Sequence, residues 1–308
     1  MRVVERDPLG LDRGEVRRAA ERAAAGYDAA AVLHREIGRR LAERLALIRL
    51  QPKLILDAGC GTGEALAELR ARYPGSSIVE LDFAFAMAAA ARRRAAALGA
   101  PRNAMLSRLL GARAAGEGVS VVCADALRLP LAPGSVDLVW SNLALQWIDD
   151  PAPAFAEFLR ALRVGGLLLF TSFGPDTLKE LRAAFAGIDR ATHVSRFIDM
   201  HDLGDALVET GFADPVMDAE TLTLTYGDAN SLLRELRAVG GHNATIGRPR
   251  GLMGRDRWSR MLEALERFRR DGRLSATYEI VYGHAWKPEP RFAADGRAIV
   301  RFERADKS

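Results

Sequence analysis

The chain has 308 residues, 49% hydrophobic and 27% charged, with 44 Lys and Arg against 40 Asp and Glu for a net charge of +4. That composition supplies a sizeable core, excludes a disordered or low-complexity chain, and contains no apolar run near the roughly 18 residues that cross a bilayer. The amino terminus is charged and has no secretory leader, and the two cysteines, Cys60 and Cys123, both fall in predicted core segments rather than in a disulfide framework, so a soluble, cytoplasmic, monomeric protein is expected.

In chain order, residues 14–50 carry small and apolar side chains at helical spacing (Ala19, Ala23, Tyr27, Ala30, Leu33, Ile37, Leu41, Leu45), which predicts one or two amphipathic helices. The run Leu54-Ile55-Leu56 is a buried strand delivered into Asp57-Ala58-Gly59-Cys60-Gly61-Thr62-Gly63, with glycine at three alternate positions. Glycine leaves no Cβ in the way and tolerates positive φ, so such a turn lets a small molecule touch backbone at the carboxyl end of a strand. A dinucleotide fingerprint would need glycine at position 64, where this chain has Glu64. Ile78-Val79-Glu80-Leu81-Asp82 is a second strand, ending in a carboxylate suitably placed to accept both hydroxyls of a ribose. Turn and carboxylate together indicate a nucleoside without a pyrophosphate.

Residues 84–100 form an alanine-rich helix, and 101–118, with Gly111 and Gly116, is an insertion that breaks the rhythm. The apolar run Val119–Cys123 precedes Asp125, Val136–Ser141 is a further strand, Asp150-Pro151 caps a helix containing Phe155, Phe158 and Leu162, and Gly165–Phe170 is a fifth strand. The alternation of strands and helices predicts an α/β, doubly wound, parallel sheet. Beyond it come a helix from Asp176, another over 202–210, a strand over 220–226, two amphipathic helices near 228–239 and 255–270, and a last strand from Thr277 to Trp286. The expected organisation is helices over 1–50, a core over 51–227, a helical cap over 228–272, the last core strand within 273–290, and a loose tail over 291–308. Basic residues are spread without a basic and aromatic stripe, so neither nucleic acid nor membrane is an expected partner. One arginine-rich stretch (Arg248, Arg250, Arg255, Arg257, Arg260) suits an acidic protein or a phosphopantetheine group.

Over residues 50 to 175 these motifs resemble the S-adenosylmethionine-dependent methyltransferases of the seven-stranded, Rossmann-like class. The resemblance implies that Asp57, Gly59 and Gly61 face the methionine part of S-adenosyl-L-methionine, Asp82 its ribose, and Asp125 the adenine amino group, a donor that needs an acceptor. It places Asn142, at the end of Val136–Asn142, in the floor of the methyl-transfer pocket, and makes the amino-terminal helices a lid in which Tyr27 closes over the cofactor. Trp147 reads equally as core or as a wall against a sulfonium.

A narrower resemblance extends over nearly the whole chain. Asn142–Trp147, Gly174–Leu178, His193–Phe197, His201–Gly204, Ala276–Glu279 and Gly283–Trp286 look like the malonyl-acyl-carrier-protein O-methyltransferases of biotin synthesis. The chain departs from that family in Phe83-Ala84, where a serine-proline pair is usual, and in the 101–118 insertion. The implied reaction transfers a methyl group to the free carboxylate of a malonyl thioester carried on acyl carrier protein or coenzyme A. A carboxylate, with a reference pKa near ~4, needs no general base. Arg196 is the first candidate to hold that carboxylate, by a bidentate fork, with Tyr27, Gln146, Tyr226 and His242 as weaker ones. Three alternatives stand beside it. One is methylation of another small carboxylate, and another is a cofactor-binding scaffold without catalysis. The third is the arginine hydroxylase chemistry of an assembly factor of respiratory complex I that has similar Asp-Thr-Leu and Ala-Thr-Tyr segments. There His193, Asp199 and His201 would supply an iron site, against the simpler reading of hydrogen-bonded histidines and no metal.

Overall fold

In the computed structural model the described residues are 7, 9–99, 118–249 and 251–290. The expected insertion, apart from Gly118, and the expected tail lie outside them. Three helices come first, α1 (Arg13–Ala23), α2 (Tyr27–Ala30) and α3 (Val32–Leu45). Asp12 starts α1 by accepting the Glu15 N–H at 3.1 Å, and Val16, Ala19 and Ala23 form its buried stripe. Then follow β1 (Leu54–Ala58), α4 (Leu66–Arg72), β2 (Ser77–Asp82), α5 (Phe85–Ala97), β3 (Val119–Cys123), β4 (Val136–Ser141), α6 (Ala152–Ala161) and β5 (Leu162–Phe173). The chain continues with α7 (Lys179–Ala186), α8 (Met200–Thr210), β6 (Ala213–Tyr226), α9 (Ala229–Ala238), α10 (Arg255–Glu266), β7 (Arg269–Arg270) and β8 (Arg273–Trp286).

The sheet order is β3-β2-β1-β4-β5-β8-β6, with β7 paired to β8. The strands from β3 to β5 run parallel, and β8 is antiparallel to both of its long neighbours. One face buries Ile37, Leu41, Ile55, Leu69, Trp140 and Leu169 under the flanking helices; the other buries Leu56, Val139, Phe155, Phe158, Leu168 and Leu207. Central strands covered on both sides are mainly apolar, with the buried Asp57 in β1 and Glu80 in β2 among the exceptions.

Three expectations change. Cys123 is exposed, because β3 is an edge strand of the sheet. β6 begins at Ala213 rather than 220, with Pro215 inside a register shift between Ala213 and Val216, a position where a missing N–H costs no ladder bond. β8 begins at Arg273 because Asp271-Gly272, at φ +48° and +74°, turns a tight hairpin from β7.

Candidate active site

β1 lies between β2 and β4, so its carboxyl end is where connections leave for opposite sides of the sheet, and the glycine turn opens there. The Gly59 and Cys60 N–H groups donate to Leu81 O at 2.8 and 3.0 Å, and the Gly61 N–H donates to Asp82 Oδ2 at 3.0 Å. Gly59 adopts φ +82°, and a Cβ there would meet the Ala144 Cβ at 2.3 Å, so two strand-exit loops approach more closely than any other residue allows. At Gly63 (φ +79°) a Cβ would meet Glu80 Oε2 at 2.8 Å.

A cavity opens above this turn, walled by Asp57, Gly59, Gly61, Asp82, Asp125 and Asn142 and roofed by Arg13, Val16, Tyr27 and His34 of the first three helices. Asp57 is buried and its Oδ2 has no hydrogen-bond partner; burial, and then the charges of Glu80 and Asp82, push its carboxyl well above the ordinary range. An unpaired acceptor at this depth suits a donor or ammonium group of a ligand. Asp82 accepts from Gly61 N–H and, through its other oxygen, from Ala84 N–H at 2.8 Å, and still has lone pairs to give. Burial raises it to about 6 against those two donors. Asp125 takes the Leu127 N–H at 2.9 Å and the Arg13 guanidinium at 2.7 Å, which ties the start of α1 to the far end of the cavity. Tyr27 lies across Gly61, its ring 4.0 Å from the position of a Cβ there. Burial, and then Asp82, keep its hydroxyl protonated. Asn142 lines the cavity, but its amide is committed, donating to His34 O at 3.0 Å and accepting from Thr171 Oγ1 at 2.8 Å. These residues fit an amino-acid nucleoside such as S-adenosyl-L-methionine: a carboxylate lies at each end, and bare backbone lies between.

A second cavity adjoins the first, and His34, Trp147 and Val239 are walls of both. It is lined by apolar and aromatic groups, including Leu33, Phe173, Leu181, Phe197 and Tyr278, with a few neutral polar side chains, among them Gln146, Ser195 and His242. Gln146 donates to Leu143 O at 2.5 Å and its Oε1 is unpaired. His193, Val194 and Phe197 in turn form the boundary between this cavity and an outer groove.

Arg196 lines only that outer groove and is exposed. The segment between α7 and α8 places Ser195 on the second cavity and Arg196 on the outer groove, away from the cofactor cavity. Tyr226 is buried with its hydroxyl donated to Glu235 Oε1 at 2.8 Å, and it lines neither inner cavity. The arginine-rich stretch is divided: Arg248 is held by Asp12 and Glu15 at 3.1 and 3.4 Å and Arg257 lies 3.7 Å from Asp189, whereas Arg255 and Arg260 are exposed. Arg250 lies outside the described residues. His193 pairs with Asp189 at 2.8 Å and stacks on Phe185 at 3.9 Å, and His201 pairs with Asp199 at 2.9 Å on the surface. Among the described residues no three His, Cys, Asp or Glu converge on a metal position.

Sequence reasoning missed His34 and Glu80. His34 reads as one more residue of an amphipathic helix, and only the tertiary fold turns it into a wall between two cavities. Glu80 stands in an apolar strand, a mismatch the sequence did carry.

Comparison with known proteins agrees with this architecture. Residues 56–170 match the methyltransferase domain family. The YcgJ protein from Bacillus subtilis has the same fold at a TM-score of 0.56 and 15% identity, over 81% of this chain and 98% of that one. The malonyl-[acyl-carrier protein] O-methyltransferase of Laribacter hongkongensis is 55% identical over 94% of this chain and 96% of its own length. That of Gallionella capsiferriformans is 50% identical over the same shares. The chain therefore belongs to the malonyl-[acyl-carrier protein] O-methyltransferase family.

Proposed function

We propose that the protein methylates the free carboxylate of a malonyl thioester carried on acyl carrier protein, with S-adenosyl-L-methionine as methyl donor, giving the methyl ester from which biotin synthesis starts. The observation that carries this reading is the succession of three neighbouring cavities that share walls: the cofactor cavity, an apolar cavity beyond His34 and Trp147, and an outer groove at His193 and Phe197. A short acyl group on a long tether fits such a succession, with its reactive end inside and its carrier outside.

When bound, S-adenosyl-L-methionine supplies an electrophilic methyl group on a sulfonium. The chain's own contribution is to bind, orient and exclude water. Asp57 would hold the methionine end of the donor, Asp82 its ribose and Asp125 its adenine, with the glycine turn on one side and Tyr27 on the other. The aromatic walls strip water from the entering carboxylate, which raises its reactivity, and the junction at His34 and Trp147 sets its approach. No residue has to remove a proton, because the nucleophile is already ionised at neutral pH. Arg196, at the outer mouth, suits the phosphodiester of a phosphopantetheine arm.

Incubation of the purified protein with S-adenosyl-L-methionine and malonyl-acyl carrier protein is expected to add one methylene to the carrier-bound acyl group by mass spectrometry. Unchanged malonyl carrier in a protein that still binds S-adenosylhomocysteine would overturn the substrate assignment.

A further inference from the structure

Neither the cofactor cavity's junction nor the second cavity has a lysine or arginine on its wall among the described residues; the one charged side chain on the second cavity is Glu235, on α9. A carboxylate entering here meets no guanidinium, and Glu235 repels it from the α9 side. Both facts leave the junction with the cofactor cavity as the end where the charged head is stable. His34 stands at that junction, projecting from α3 between the rings of Tyr27 (5.6 Å) and Phe173 (6.3 Å), which meet it edge-on. Its Nδ1 is sealed from solvent and has no hydrogen-bond partner. The helix is locked in register, since Asn142 donates to the His34 carbonyl and is itself held by Thr171.

We infer that His34, as a neutral imidazole, is the residue that donates a hydrogen bond to the substrate carboxylate and thereby selects malonyl over uncharged acyl groups. The inference rests on the malonyl reading above. His242 also lines the second cavity with an unpaired Nδ1, but it does not reach the cofactor cavity, where the methyl group must be met. A single neutral donor suits this reaction better than an arginine fork, which would occupy both oxygens and quench the nucleophile. Burial alone lowers the His34 ring to about 4, so it stays uncharged at working pH. Tyr27 on α2 lies beside it, and the other titratable groups on the second cavity are Glu235 on α9, Tyr278 on β8, and His193 and His242 on connecting segments.

The test compares His34→Leu and His34→Gln with the native protein, using binding of malonyl and acetyl thioesters of coenzyme A in the presence of S-adenosylhomocysteine. The ratio of the two affinities does not depend on the fraction of folded protein. His34→Leu should lower the malonyl-to-acetyl preference about tenfold or more, the usual result of losing one hydrogen bond to a charged group. His34→Gln, which keeps a neutral N–H, should restore most of it. Native malonyl affinity should be flat from pH 6 to 8. An unchanged preference in His34→Leu, or an affinity that falls as pH rises through the ordinary histidine range, would overturn the assignment to neutral His34. A native protein with no preference for malonyl would instead overturn the substrate reading itself.

Discussion

Two residues on the same face of neighbouring strands show how local chemistry sets a pH response. Asp57 and Glu80 are register partners across β1 and β2, both buried; Asp57 Oδ2 and both Glu80 carboxyl oxygens have no hydrogen-bond partner. Burial raises Glu80 above the ordinary carboxylate range, against the weaker pull of the Cys60 thiol and Arg94, and burial raises Asp82 to about 6. An acid with a raised pKa in the fold binds more protons folded than unfolded. Its contribution is therefore fully present below the unfolded value and is lost as pH rises through the folded one. The apo protein should lose melting temperature between about pH 4 and 7. Glu80→Gln, neutral and nearly isosteric, should flatten that decline and exceed the native protein by about 1–3 kcal/mol at pH 8; an equally steep decline in the variant would mean that Glu80 does not carry the effect. At the outer mouth, Arg196→Ala should raise KM for carrier-bound malonate several-fold while leaving S-adenosylhomocysteine affinity unchanged. Loss of cofactor affinity in titration calorimetry would contradict its position outside the inner cavities.

At the scale of elements, the glycine turn is the feature on which the cofactor cavity depends. Gly59→Ala meets both a left-handed φ and the Ala144 Cβ, so it should cost about 1–3 kcal/mol of stability and weaken S-adenosylhomocysteine binding at least tenfold. Normal binding would show that the loops after β1 and β4 can separate without harm. The start of α5 shows a different solution to a local problem. Ala84 offers no side-chain cap, and Glu21, from α1, instead accepts the Phe85 and Ala86 N–H groups, each at 2.7 Å. This tertiary cap occurs beside Phe83-Ala84, where the resemblance led one to expect a serine. Elements specified by local physics were legible in the sequence: β1, β2 and the turn, where buried strands meet obligatory glycines, and α8 and α9, which Asp199 and Asp228 cap. Elements specified by pairing were not. The first half of β6, with Pro215 and acidic residues, is a strand because β8 lies beside it. The Asp271-Gly272 turn was legible in principle, but β7 is two residues long and has no pattern of its own. The place of Arg196 was not legible for a related reason: the sequence alone does not show which side of the segment between α7 and α8 faces the inner cavity and which the outer groove.

For the whole molecule, the shared wall implies that the two ligands sense each other. The roof over the cofactor cavity is held by contacts of modest strength. Arg13 and Asp125 leave 45% and 39% of their side chains exposed, so their bridge is worth little. Leu11 N–H also donates to both Asp149 oxygens at 2.8 and 2.9 Å, and Asp12 holds Arg248, so α1 reaches both the loop after β4 and the segment after α9. The start of α1 thus ties the roof of the cofactor cavity to the segment that carries His242 and Asn243 of the substrate wall, through Asp12 N–H donating to Ala244 O at 2.7 Å. With no cationic side chain on the inner substrate cavity among the described residues, the charge that balances a malonyl carboxylate has to come from the cofactor side. A positive charge a few ångströms away in a partly dry site contributes on the order of 1–3 kcal/mol after desolvation is counted. Malonyl-coenzyme A should therefore bind about tenfold more tightly to protein loaded with sinefungin, which carries an amine in place of the sulfonium, than to protein loaded with neutral S-adenosylhomocysteine. Acetyl-coenzyme A should not distinguish the two. Reciprocity requires malonyl-coenzyme A to tighten sinefungin by the same factor. Equal malonyl affinities in both complexes would mean that the balancing cation belongs to the chain itself and is brought in from beyond the inner cavities.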